Sequence, residues 1–180
     1  MKQWLNAVKR IDVMPRPGGT DLRYSEWTES LPPHLFKKFI KTLKWEDFAL
    51  YPDTNILKKR LAEHHSINVE NIYLGPGSSE CISDVFKCIR ELCSVTLTDP
   101  CFPMYHVYAA QSNLVLNKVL TSVEFTYNAN SIYGGELIVI SRPSNPVGYF
   151  FTREDITTIL KNNKSSWVLV DETYIDYVED

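Results

Sequence analysis

Two apolar segments, Leu137-Ile138-Val139-Ile140 and Val168-Leu169-Val170, constrain this chain more than any other feature. A strand with one face in water alternates apolar and polar residues. A strand that does not alternate must be covered on both faces, which is the habit of parallel sheets flanked by helices. The surrounding sequence has the alternation such a fold requires. Strands are predicted at 72–74, 94–98, 114–119, 136–141 and 167–171, with helices at 78–93, 103–112 and 152–162. The expected fold class is α/β, a partial three-layer sandwich with a mainly parallel sheet. Before it comes an irregular arm, residues 1 to about 30, in which Pro15, Pro17, Gly18 and Gly19 break any period. A helix opens at Leu31-Pro32-Pro33 and carries Leu35, Phe36, Phe39, Ile40 and Leu43 on one side. Asp53 is placed to cap a further helix through Ile56, Leu57, Leu61 and Ala62.

Composition sets the outer limits. The 180 residues are 44% apolar and 23% charged, as in a folded globular chain. The formal net charge of −3 gives no electrostatic reason to expect a nucleic acid or an anionic membrane as partner. No apolar run has the length of a membrane span, and Met1-Lys2-Gln3-Trp4 does not begin a signal peptide, so a cytoplasmic protein is expected. Four cysteines and four histidines are present. Cys81 and Cys88 are expected on the apolar side of the 78–93 helix as buried, reduced thiols. None of the cysteines and histidines pairs at a zinc-ligand spacing, so no metal site is expected.

In open α/β sheets ligands bind outside the carboxyl ends of the strands, so the residues after each strand are the ones to read. After 72–74 comes Gly75-Pro76-Gly77-Ser78-Ser79-Glu80. A glycine turn running into a helix start presents backbone N–H groups and the positive helix end to one volume, which suits a phosphate or carboxylate. Ser78 or Ser79 can add a hydroxyl or act as the N-cap. Glu80 stands where a dinucleotide fingerprint has its third glycine, and no Gly-Lys-Ser/Thr follows, so neither nucleotide motif is met. After 94–98 comes Asp99-Pro100-Cys101-Phe102, which brings a flat ring. After 136–141, Asn145 offers an amide between Pro143 and Pro146. After 167–171, Asp171 places a carboxylate at the end of an apolar strand, where burial is costly unless it is paired, and Tyr174 adds a phenol. The set suits a planar, phosphorylated heteroaromatic whose ring nitrogen stays protonated. Pyridoxal 5'-phosphate has that chemistry, because its use as an electron sink depends on a carboxylate at the pyridine nitrogen.

The segment from about Tyr51 to Asp180 resembles the N-terminal part of the fold-type I pyridoxal-phosphate aminotransferases, and most of all their histidinol-phosphate branch. The resemblance rests on Tyr51-Pro52-Asp53, Gly75 to Glu80, Asp99 to Tyr105, Ser144-Asn145-Pro146-Val147-Gly148 and Asp171-Glu172-Thr173-Tyr174, in the family's order. It implies that the backbone of Gly77, Ser78 and Ser79 binds the cofactor phosphate and that Phe102 stacks on the pyridine. Asn145 and Tyr174 would contact the ring oxygen and Asp171 the ring nitrogen. Tyr51 would reach the cofactor phosphate of a partner subunit, as in a homodimer. An amino donor and a 2-oxo acid would be the small-molecule partners. The division implied is an arm and helix over 1–45 and an incomplete cofactor-binding large domain over 46–180.

The sequence departs from the family pattern in several places. Cys101-Phe102 replaces the usual Thr-Tyr, Val147 replaces a threonine, and Ser25-Glu26-Trp27 replaces the usual Asn-Glu-Asn of the substrate-side arm. The family's Schiff-base lysine follows the aspartate strand in a Ser-Lys motif, and no lysine follows Lys164 in this sequence. The expectation is therefore an N-terminal part of such an enzyme that carries the cofactor's bed without its nucleophile. The alternatives are a non-catalytic truncated or scaffold chain of the same fold, a pyridoxal-phosphate decarboxylase of the same family, and an unrelated phospholigand binder.

Overall fold

The computed structural model describes residues 30–90 and 93–178, together with Gly18. The arm, including the Arg23 to Glu29 segment expected beside a substrate, otherwise lies outside the described residues. The chain divides into two compact units, with the break between Leu74 and Gly75.

The first unit is helical. Helix α1 (Pro33–Ile40) starts with proline in its first turn, where the missing N–H costs nothing. Its Leu35, Phe36, Phe39 and Ile40 form the expected apolar stripe, and all four are exposed. A short helix α2 (Glu46–Ala49) follows, then α3 (Asn55–His65). Asp53 acts one residue before the helix boundary, its Oδ1 accepting the Asn55 N–H at 2.9 Å. Helix α3 ends at Ser66, which takes the left-handed conformation (φ 54°) while the Ile67 N–H closes on the Ala62 carbonyl. A 3₁₀ turn spans Val69–Asn71. The strand expected at 72–74 is not formed. Ile72 has extended angles, but among the described residues this segment has no ladder partner, and extended backbone becomes sheet only when a neighbour takes its hydrogen bonds.

The second unit is the α/β sandwich. Helix α4 (Ser78–Cys88) precedes strand β1 (Ser94–Asp99), helix α5 (Met104–Gln111) and strand β2 (Val115–Leu120). After a 3₁₀ turn at Ala129–Ser131 come β3 (Leu137–Ser141), α6 (Arg153–Asn162), β4 (Trp167–Asp171) and a 3₁₀ turn at Ile175–Tyr177. The sheet is parallel throughout, in the order β2-β1-β3-β4. Helix α4 stops five residues before the predicted end. Cys93 already accepts the Val115 N–H at 2.9 Å, so the chain has to turn after Cys88 to enter the sheet.

Every residue of β3 is buried, and the strand feeds two cores. Leu137 and Val139 face one core with Val95 and Leu97 of β1, Ile82 and Phe86 of α4, and Tyr105, Tyr108 and Ala109 of α5. Ile138 and Ile140 face the other with Tyr127, Ile132, Phe151 and Ile159. One strand with helices on both sides is the three-layer arrangement that its lack of polar alternation implied. Strand β4, expected to be covered on both faces, is only partly so. Its Trp167 is exposed and its other residues are half-buried, because β4 is the outer strand of the four. A capping box holds the start of α6, with Thr152 Oγ1 accepting the Asp155 N–H at 3.1 Å and Asp155 returning a bond to the Thr152 N–H at 2.9 Å. Such a box contributes about 1 kcal/mol.

The thiols are less uniform than expected. Cys101 is buried, Cys81 and Cys93 are half-buried and Cys88 is exposed, all as free thiols. Seven residues is nearly two full helical turns, but Cys88 is the terminal residue of α4 and is exposed. Among the described residues no helix is long and apolar enough to cross a membrane.

Candidate active site

The parallel strands end on one rim, and a pocket opens there. It is lined by Ser78, Ser79, Phe102, Ser141, Asn145, Asp171, Thr173 and Tyr174, and holds about 110 Å³. The turn serines Ser78 and Ser79 and the strand-end residues Phe102, Asn145, Asp171 and Tyr174, expected together, all line it, joined by Ser141 and Thr173. A larger, open hollow of about 610 Å³ lies beside Arg142, Arg153 and Glu172. Volume alone would favour the hollow. The smaller pocket has the convergent polar groups, and these decide where chemistry can happen.

At the floor of the rim, Gly77 is the N-cap residue of α4, with φ 92°. That angle is open to glycine and strained for other residues. A Cβ there would meet nothing within 4 Å, so the space above the turn is empty. Neither Ser78 nor Ser79 caps the helix, contrary to one of the two roles expected for them: the N-cap is Gly77, and among the described residues no side-chain cap bond is made. Both serines lie inside the helix instead, which leaves the first-turn N–H groups to a ligand. An anion is the complement of that arrangement.

At the other wall stands Asp171, the last residue of β4. Its Oδ1 accepts the Thr173 N–H at 3.1 Å and the Thr173 hydroxyl at 2.6 Å. Its Oδ2 accepts the Tyr105 hydroxyl at 2.5 Å, a bond that spans 66 residues of sequence. A carboxylate offers about four acceptor positions, so these three donors hold its plane and leave room for one more. Burial and the Asp171 carboxylate push the Tyr105 phenol up, which keeps it a proton donor. Tyr105 is itself fixed against Phe86 (6.4 Å, nearly parallel) and Phe102 (5.6 Å, edge-on). Phe102 therefore presents a ring whose orientation is set by its neighbour.

The third wall is the loop after β3. Ser141 Oγ accepts the Asn145 N–H at 3.4 Å and donates to the Pro143 carbonyl at 3.0 Å. The turn closes through the Ser144 N–H to Tyr149 and the Gly148 N–H to Ser144. Behind the rim, buried Arg142 donates from Nε to the Phe151 carbonyl (2.6 Å) and from a terminal nitrogen to Glu172 (2.8 Å). It ties the ends of β3 and β4 together without lining the pocket.

Of the residues singled out in the sequence, Ser78, Ser79, Phe102, Asn145, Asp171 and Tyr174 meet in this pocket, with Gly77 at its edge as N-cap. Tyr51 belongs to the first compact unit, where its side chain is fully exposed. Ser141 and Thr173 were missed, although the strand-end rule reaches both. Tyr105 was missed because helical spacing marks it only as a core aromatic.

The family model for class I and II aminotransferases matches residues 20–180. The chain belongs to that family. Among its relatives, a histidinol-phosphate aminotransferase from Lactococcus lactis subsp. cremoris is 33% identical over 152 residues, 81% of this chain and 42% of the relative. Another from Thermoanaerobacter pseudethanolicus is 27% identical over 186 residues, 98% of this chain and 53% of the relative. The chain therefore spans about half the length of the curated relatives it matches. The fold is also that of the histidinol-phosphate aminotransferase from Sinorhizobium meliloti, solved in complex with pyridoxal-5'-phosphate (TM-score 0.71, 18% identity, 82% of this chain and 42% of that one). The L-threonine-O-3-phosphate decarboxylase from Porphyromonas gingivalis is similar to the same degree (TM-score 0.70, 18% identity, 83% and 47%).

The bond from Tyr105 to Asp171 makes a direct prediction. Tyr105→Phe keeps the ring packing and removes the donor to Asp171. A charge-assisted hydrogen bond contributes about 1.5–3 kcal/mol. Urea denaturation of Tyr105→Phe is expected to show a loss in that range, and an unchanged midpoint would show that the bond does not hold Asp171.

Proposed function

We propose that residues 46–180 form the cofactor-binding part of a pyridoxal-phosphate-dependent aminotransferase. The complete reaction passes an amino group between an amino acid or amino-phosphate compound and a 2-oxo acid. The observation that carries this reading is the meeting of an uncapped helix start, an oriented ring and a braced carboxylate in one pocket. The family, and the histidinol-phosphate aminotransferases among its relatives, support it.

The donor set fits the cofactor. The backbone of Gly77, Ser78 and Ser79 takes the phosphate, at a helix start that has no side-chain cap among the described residues. Phe102 covers the ring face. Asn145 and Tyr174 hydrogen-bond the ring oxygen. The Asp171 carboxylate, held by Thr173 and Tyr105, accepts a hydrogen bond from the protonated pyridine nitrogen and so keeps the proton on the ring. Tyr51 serves the phosphate of a partner subunit in a homodimer. When bound, the cofactor supplies an electron sink for bonds broken at the substrate's α-carbon. The chain's own contribution is to orient that ring and fix its charge.

Among the described residues no lysine lines the pocket, and none follows Lys164 in the sequence. We place the reactive amine of the complete enzyme outside residues 1–180. A chain that binds the cofactor without performing catalysis is the second reading, and it rests on the same observation. Pyridoxal phosphate added to the purified protein tests both. The expected result is a saturable change in the visible spectrum that dialysis reverses and that borohydride does not make permanent. A chromophore fixed by borohydride would place the amine within this chain, and no saturable change would remove the cofactor assignment itself.

A further inference from the structure

Between the end of β1 and α5, three donor groups of different chemistry converge. His106 Nε2 lies 3.1 Å from Asp99 Oδ1, Cys101 Sγ lies 3.7 Å from the same oxygen, and Cys101 Sγ lies 3.6 Å from His106 Nε2. We propose that Asp99, Cys101 and His106 form a binding site for a zinc-like divalent transition ion. All three ligand atoms lie within 4.8 Å of one another.

The distances carry the argument. Zinc binds thiolate sulfur at about 2.3 Å, imidazole nitrogen at about 2.0–2.1 Å and carboxylate oxygen at about 2.0–2.2 Å, usually as a tetrahedron. Ligand atoms at those lengths and the tetrahedral angle are separated by roughly 3.4–3.6 Å. The three observed separations bracket that range, so one face of a tetrahedron already stands with a fourth position open to water. Hydrogen bonds to Asp99 Oδ1 from the Cys101 thiol and the His106 ring N–H account for two of the three separations. One imidazole N–H at Nε2 can point at Asp99 Oδ1 or at the sulfur, whereas an ion between them engages all three.

Surrounding groups fit the assignment. Lys118 Nζ lies 3.5 Å from Asp99 Oδ2, which leaves Oδ1 turned to the cluster and orients the carboxylate from outside, as partners of metal ligands do. Cys101 is buried, while His106 and Asp99 are part-exposed, with side chains 32% and 20% accessible, so an ion can enter from the solvent side. Thiolate with imidazole selects zinc, cobalt or related ions over magnesium and calcium. The sequence expectation of no metal considered cysteines and histidines alone. The missing member is an aspartate at the end of β1, and the pattern is Asp, one residue, Cys, four residues, His. An ion here would tie the end of β1 to the start of α5 and so fix the loop that carries Phe102.

Cobalt(II) titration of the protein, stripped beforehand with chelator, tests the site. The expected result is a near-ultraviolet thiolate-to-cobalt charge-transfer band saturating at one equivalent and displaced by zinc. Cys101→Ser abolishes the band and Cys88→Ser leaves it. His106→Gln, at a part-exposed position that does not build the core, weakens cobalt binding at least tenfold while the circular dichroism is unchanged. Absence of the band in the unaltered protein, or its persistence in Cys101→Ser, overturns the proposal. So does unchanged cobalt affinity in His106→Gln.

Discussion

Asp171→Asn is expected to weaken pyridoxal-phosphate binding by about 10–150-fold, the equivalent of the roughly 1.5–3 kcal/mol assigned to a hydrogen bond with a charged partner. The direction follows from the side chain's surroundings. Thr173 gives two donors to Oδ1, so the oxygen of an asparagine amide is held on that side. Its NH₂ then occupies the place of Oδ2 and donates where the carboxylate accepted. A pyridine nitrogen facing a donor has no reason to keep its proton, and the Tyr105 hydroxyl loses its charged acceptor. Tyr174→Phe removes a neutral contact, for which about 0.5–1.5 kcal/mol, or roughly 2–12-fold, is expected. Fluorescence titration of both variants with the cofactor measures the contrast. Equal affinities would show that Asp171 does not pair with the ring nitrogen.

Phe86→Ala is expected to cost about 3–5 kcal/mol of stability, the range for deleting a fully buried aromatic ring. Phe86 is 0% exposed and packs against Tyr105 and Tyr108, with ring centroids 6.4 Å and 6.0 Å away. The loss is large against a typical total of about 5–15 kcal/mol, so urea should unfold the variant at a far lower midpoint with an unchanged slope. Leu160→Ala, on the half-exposed outer side of α6, is the control and should shift stability by no more than about 0.5 kcal/mol. The effect of Phe86 reaches the site as well. Its ring is the wall against which Tyr105 stands, and Tyr105 holds Asp171.

Much of the fold and the site is legible in the amino-acid sequence. Strand β3 announced its double burial through four consecutive apolar residues, and the rule that ligands gather at strand ends brought Ser78, Phe102, Asn145 and Asp171 into one group. What escaped depended on partners distant in sequence. Ile72 to Leu74 looks like a strand, but sheet membership requires a neighbour, and the residues alone do not say whether one exists. Tyr105 reads as a core aromatic because its spacing reports which side of α5 it is on and nothing about its hydroxyl. Its acceptor is 66 residues away. The end of α4 at Cys88 likewise follows from the entry of Cys93 into the sheet and not from any helix-breaking residue. Asp99 was read for its place before Phe102, and its convergence with Cys101 and His106 emerges only when β1 and α5 are seen to meet.

The central claim is that Asp171, braced by Thr173 and Tyr105, holds the ring nitrogen of bound pyridoxal phosphate in its protonated form. The most direct measurement is the nitrogen-15 chemical shift of ring-labelled cofactor bound to the protein, taken at a pH where the free cofactor's ring nitrogen is deprotonated. A shift characteristic of a protonated pyridine, lost in Asp171→Asn, is the predicted result. A bound cofactor whose ring nitrogen keeps the deprotonated shift would contradict it.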